Sequence, residues 1–178
     1  MPEGHTLKRW PHRQGLPSRM RVLGIDPGLR VAGYGCIDLQ GNSVTPKLVE
    51  AGAIRMKTDR SISFRLKQLH DDICEIMTEL TPDVLAVEKI FTHEDHPSTA
   101  TVMGHARGVI LLAGEQAGVP LIELTPAEIK KSVTGNGRAT KEQVQHAIAS
   151  LLLLSEPPKP PDVADALAIA ITGGIRET

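Results

Sequence analysis

The apolar residues change period once, near residue 62, and that switch limits the fold more than any other feature of this sequence. Before it lie three short runs of strand character: RVLGID, entered at Met20 and closed by Asp26, then VAGYGCIDL (31–39) and KLVEAGAIRM (47–56). Pro27 and Gly28 force a turn after the first, and Gly41-Asn42 supplies a tight connection between the second and third. Short connections of this kind make an antiparallel meander. From 62 to 80, Ile62, Leu66, Leu69, Ile73, Ile76, Met77 and Leu80 recur at helical spacing.

Strands and helices then alternate. DVLAVE (83–88) is a buried strand ending on Glu88, and a helix runs from about Ser98 to Ala117 with Gly118 as its cap. VPLIEL (119–124) is a fifth strand. Thr125-Pro126 opens a short helix by the cap and first-turn proline rule, and Gly135-Asn136-Gly137 breaks it. Thr140 caps a helix to Leu154, EPPKPP (156–161) is a stiff loop, and the last helix spans Asp162 to Ile171. The order β-β-β-α-β-α-β-α-α-α predicts an α/β domain over residues 20–178. Its sheet is mixed, an antiparallel three-strand meander plus two parallel strands, with helices on its faces.

Residues 1–19 have no periodicity and three prolines. They read as a disordered basic extension. Residues 1–21 carry Lys8, Arg9, Arg13, Arg19 and Arg21 against Glu3, a net of +4, while the remainder carries −5. The total of −1 does not mark a nucleic-acid binder. Two bound dications would reverse the field around any acidic cluster, so the total does not exclude one either. The two cysteines form no metal or disulfide pattern, no apolar run approaches a membrane span, and no signal peptide is visible. A cytoplasmic protein is expected.

Asp26 ends the first strand and Glu88 the fourth. Ligand sites of open α/β sheets form outside the carboxyl ends of strands. Two acids side by side there repel unless cations sit between them. Asp162 and Asp165 are three apart at the start of a helix and share a face. Four hard oxygen donors suit Mg²⁺ or Mn²⁺. Two such ions about 4 Å apart clamp an in-line phosphoryl displacement, activating the water and stabilising the leaving oxygen. Each acid also has a structural reading. Asp26 suits a turn, Glu88 can pair with Lys89, and Asp162 is a good N-cap. Asp165, among Ala, Leu and Ile, is the hardest to explain without a partner.

GIDPG, GYG, AVEKIF, GHARGV, the Lys130-Lys131 pair, GNGRATKEQVQH and DVADALAIAI together resemble, in order and spacing, the RuvC family of Holliday junction resolvases. The resemblance covers nearly all of residues 20–174. It implies a ribonuclease H-like fold and a homodimer that nicks two strands of like polarity across a four-way DNA junction with Mg²⁺ or Mn²⁺. The family's catalytic acids match Asp26, Glu88, Asp162 and Asp165. The third of these positions is His in some members and Asp in others. The family's junction-core aromatic matches Phe91, which can stack on unpaired bases. Two phosphate-contacting lysines match Lys130 and Lys141, and Lys131 and Arg138 lie close to them in sequence. The family dimerises partly through the helix starting near Ser98. Its small residues Ala100, Gly104, Ala106 and Gly108 allow close approach of either a second helix or the sheet. A partnership with the RuvA–RuvB branch-migration motor is implied by the family alone.

Three other readings are open to such a chain. A YqgF-type RNA-processing nuclease shares the fold, but the Phe91 loop and the Asp162/Asp165 pair weigh against it. An actin-like or sugar-kinase ATPase needs a duplicate domain. A junction-binding module without cleavage would lack one of the acids.

Overall fold

The computed structural model describes residues 19–40, 43–89 and 97–177. The N-terminal segment 1–18 and Phe91 lie outside the described residues. Five strands and five helices follow the expected order. They are β1 (Arg19–Asp26), β2 (Val31–Gln40), β3 (Ser43–Arg55), α1 (Ile62–Leu80), β4 (Val84–Glu88), α2 (Pro97–Gln116), β5 (Leu121–Leu124), α3 (Pro126–Thr134), α4 (Lys141–Leu151) and α5 (Pro161–Glu177). The sheet order is β3-β2-β1-β4-β5. The first three strands pair antiparallel, and β4 and β5 run parallel to β1.

Alternate residues of each strand face opposite ways. Val22 of β1 and Val84 and Ala86 of β4 join a core under α3, α4 and α5. Leu23, Ile25, Leu85 and Val87 join a second core under α1 and α2. The helix ends follow local chemistry. Thr125 and Thr140 accept from the backbone N–H of Glu128 and Gln143, whose side chains accept back from the cap N–H groups. No helix of the described residues is long and apolar enough to cross a membrane.

Several boundaries differ from the expectation. The strand begins at Arg19, not Met20, so that residue belongs to the domain. Arg19 and Arg21 are not part of a free basic arm. Arg21 grips Asp38 through Nε at 2.8 Å and Nη2 at 3.1 Å, and Arg19 lies 3.7 Å from the same carboxylate. Helix α4 stops at Leu151, because Leu153 takes a left-handed φ of 56° that no helix continues through. Helix α5 runs on through Gly173-Gly174 to Glu177. Those glycines are buried, and a Cβ on Gly173 would lie 2.7 Å from that of Ala86, so close packing favours them there.

Candidate active site

Helix α5 brings the acids together, and two glycines let it do so. A Cβ on Gly24 of β1 would sit 2.3 Å from the Ala166 carbonyl oxygen, and one on Gly33 of β2 would sit 2.0 Å from that of Asp162. The helix backbone therefore lies directly on the sheet, with no side chain between. Asp26 follows Val22 and Gly24 on the α5 face, and Glu88 follows Val84 and Ala86 on that face. Their strands are in register, Ile25 beside Val87. The two carboxylates thus leave neighbouring parallel strands side by side, beneath the first turns of α5.

The four acids are split between two adjoining cavities. Glu88 and Asp165 line one, with Lys130 of α3 and Lys141 of α4. Asp26 and Asp162 line the other, with Arg30, Val102 and Met103. Asp162 lies in the first turn of α5 rather than at its N-cap. Asp26 keeps some exposed surface, yet protein surrounds most of it. Burial, then the charges of Asp165, Glu88 and Asp162, push its carboxyl from an ordinary 3.8 up to about 8, against a smaller opposing pull from Lys141. Burial and Asp165 raise Glu88 as well, with Lys130 and Lys141 opposing. The Lys141 ammonium lies 2.8 Å from Asp165 Oδ2. That hydrogen bond is the main cause of its raised pKa, and the charges of Asp165, Asp26 and Asp162 add to it.

Among the described residues, no three His, Cys, Asp or Glu side chains already converge on one ion position. The donor chemistry nevertheless fits a hard divalent cation: carboxylate oxygens only, with Asp26 so enclosed, and so near the other acids, that it cannot ionise freely. Lys141 meanwhile supplies a counter-charge.

The remaining expected residues divide. Lys130 and Lys141 face the acids across a shared cavity. Lys131 and Arg138 are exposed and line neither cavity. Arg107, in the GHARGV stretch, has no role legible in the sequence alone. Its Nε donates to the Glu88 carbonyl at 3.2 Å, and its guanidinium pairs with Glu123 of β5. It fastens α2 to the end of β4, just where Glu88 must be held. A single cation within a helix of mainly small and apolar residues was the available signal.

The model of the family "Crossover junction endodeoxyribonuclease RuvC" matches residues 22–173. The chain belongs to the RuvC family. The RuvC of Brevibacillus brevis is 46% identical over 153 residues, covering 86% of this chain and 90% of that protein. The RuvC of Rhodopirellula baltica is 45% identical over 152 residues, 85% of this chain and 84% of that one. Among solved structures, Thermus thermophilus RuvC in complex with a Holliday junction substrate superposes with a TM-score of 0.82 at 32% identity, covering 89% of this chain and 94% of that one. The yeast mitochondrial Holliday junction resolvase Ydc2 shares the fold, at a TM-score of 0.62 and 16% identity over 88% of this chain and 79% of that one. RuvC enzymes are divalent-metal-dependent nucleases, and the present chain has their ribonuclease H-like architecture.

Proposed function

We propose that this RuvC enzyme resolves four-way DNA junctions in recombination and repair, cutting two strands of like polarity symmetrically. The observation that carries the reading is the gathering of Asp26, Glu88, Asp162 and Asp165 from three elements at one sheet edge, with Lys130 and Lys141 beside them. These four carboxylates would hold two Mg²⁺ or Mn²⁺ ions. When bound, the ions supply a lowered pKa for the attacking water and a counter-charge for the leaving 3′ oxygen.

The chain's own residues do the rest. Lys130 and Lys141 neutralise phosphate oxygens flanking the scissile bond. Lys141 gives up Asp165 as it does so, freeing that carboxylate for an ion. Arg107 keeps the Glu88 end of β4 in place. Lys131 and Arg138, exposed beyond the cavities, contact more distant phosphates. Phe91, three residues after Glu88, is the aromatic that enters the unpaired bases at the junction centre. The enzyme works as a homodimer in the cytoplasm, together with a RuvA–RuvB motor. Support for the dimer comes from α2. Ala106 packs into the core, while Gly104, Gly108 and Leu112 form an exposed stripe at helical spacing.

The test compares a labelled mobile four-way junction with a linear duplex of the same sequence, with Mg²⁺, Mn²⁺ or chelator. Paired, symmetric nicks in the junction alone, dependent on metal, are expected. Equal cutting of both substrates overturns the junction reading and leaves a general nuclease.

A further inference from the structure

The sheet edge that carries the acids also carries cations with no part in the cleavage chemistry. Strand β2 starts at this edge and β3 ends at it, because β2 runs antiparallel to β1 and β3 antiparallel to β2. Arg30 sits in the β1–β2 turn and lines the Asp26 cavity. Arg55, paired in register with Val31, ends β3. It follows Ala51 and Ala53, which pack on the α5 side of the sheet, so it lies on the face that bears Asp26 and Glu88. The Met56 N–H donates to the Arg30 carbonyl at 3.1 Å, which brings the next segment alongside. That segment holds Lys57 and Arg60.

All four cations are exposed. Among the described residues, none forms a salt bridge. Asp59 is the one acid of the 55–60 segment. Arg60 is braced with its guanidinium 4.5 Å from the centre of the Phe64 ring, which fixes its head without neutralising it. The Arg55 carbonyl is held by Gln68 at 3.1 Å. Adjacent strands lie about 4.8 Å apart, so β3 stands roughly 10 Å from β1 on one side, and β5, which leads into α3 and Lys130, roughly 10 Å away on the other. The charge along the edge therefore reads cationic, acidic, cationic.

We propose that Arg30, Arg55, Lys57 and Arg60 form a second phosphate track, which grips the backbone of a DNA arm on the side of the scissile phosphate opposite Lys130 and Lys141. The inference rests on the junction-nuclease reading and extends its substrate footprint to the β3 edge. An unpaired cation row next to an acidic cluster has one partner of suitable form, a polyanion that crosses the acids and continues beyond them. Nucleic acid presents such charges at short, regular intervals. Because the interactions are with phosphate, they add affinity without sequence preference.

The test uses full-length protein carrying Asp26→Asn, so that binding is measured without cleavage, and a dye-labelled immobile four-way junction at a series of salt concentrations. Arg55→Gln/Lys57→Gln/Arg60→Gln is compared with the unsubstituted background. Removing one phosphate-bound cation reduces the slope of log affinity against log salt by about 0.9, so a drop of about 2–3 is expected, with affinity at 0.15 M salt lower by roughly fivefold for each cation removed. Arg55→Lys/Arg60→Lys, which keeps the charge, retains the slope. Lys67→Gln/Lys159→Gln, which removes two exposed lysines from other surfaces, leaves it intact. If the triple variant melts before assay, the single substitutions each take off about one unit instead.

Unchanged affinity and slope in the triple variant overturn the track. So does an equal loss in the Lys67/Lys159 control, or in the charge-conserving pair. If the Asp26→Asn protein with its track intact binds no junction, the junction reading fails, and the track falls with it. If it binds and Lys130→Gln weakens it while the triple variant does not, the track alone is wrong.

Discussion

At Asp26 the cost of assembling the site is concentrated in one carboxyl group. Its folded pKa of about 8 lies above the ordinary 3.8, so the fold favours its neutral form. Its contribution to stability is fully present below about pH 4 and is lost progressively as pH rises towards 8. Metal-free protein should therefore lose melting temperature across that range. Asp26→Asn removes the penalty. The variant should melt higher than the parent at pH 8, by about 2–4 °C for each kcal/mol relieved, and show no such gain at pH 4. It should bind junctions and not cut them. Adding Mg²⁺ should stabilise the parent more than the variant, with proton release visible by calorimetry in two buffers of different ionisation enthalpy. Wild-type cleavage by Asp26→Asn would sink the metal assignment. Arg107 gives a second prediction at this scale. Arg107→Ala strips a charged donor from the Glu88 carbonyl and the partner from Glu123, a loss of about 1.5–3 kcal/mol. Single-turnover cleavage should slow and need more metal, with junction affinity nearly unchanged. Arg107→Lys should recover part of it, and equal loss in both variants would argue for a packing role. The acids were legible in the sequence because strand ends and an i, i+3 pair advertise them. Arg107 was not, since its partners are a backbone carbonyl and a residue on β5.

Among the elements, α5 decides whether there is a site at all. Its two acids reach the strand ends only because Gly24 and Gly33 let its backbone touch the sheet. Gly24→Ala forces a Cβ against the Ala166 carbonyl. Overpacking of this kind costs about 1–3 kcal/mol and lifts Asp165 away from Asp26 and Glu88. Cleavage should fall by far more than junction binding, and the melting temperature should drop. Unaltered stability would mean that the helix does not lie where the structure puts it. The antiparallel meander and the parallel strands after it were readable from run lengths, short turns and the alternation of strand and helix. The reach of α5 was not. Gly173-Gly174 reads locally as a break, whereas burial against Ala86 and Leu39 outweighs their poor helix propensity. The end of α4 was equally hidden. Nothing in the run from Leu151 to Leu154 announces the turn at Leu153, whose side chain is 85% exposed.

For the whole molecule, the exposed stripe on α2 is the proposed source of the reaction's symmetry. A sequence of small residues could not say which of them meet the sheet. In the structure Ala106 is buried in the core, while a side chain added at Gly104 or Gly108 would meet nothing within 4 Å and Leu112 is 51% exposed beside them. Two copies joined through this face would present two acid clusters, one for each of the opposed strands of a junction. Glutamate at both glycines, Gly104→Glu/Gly108→Glu, places like charges directly opposite one another in such a pair while touching neither the core nor the acids. The variant should sediment as a monomer where the parent sediments as a dimer. It should also nick one strand of a plasmid-borne cruciform without the near-simultaneous second cut that yields a linear product. The melting temperature of the single chain should stay within about 2–4 °C of the parent, since surface changes cost little and a 1 kcal/mol change moves it by that much. A variant that remains dimeric and still makes paired cuts would place the partner on another face, leaving the acid cluster as described but its symmetry without a source in α2.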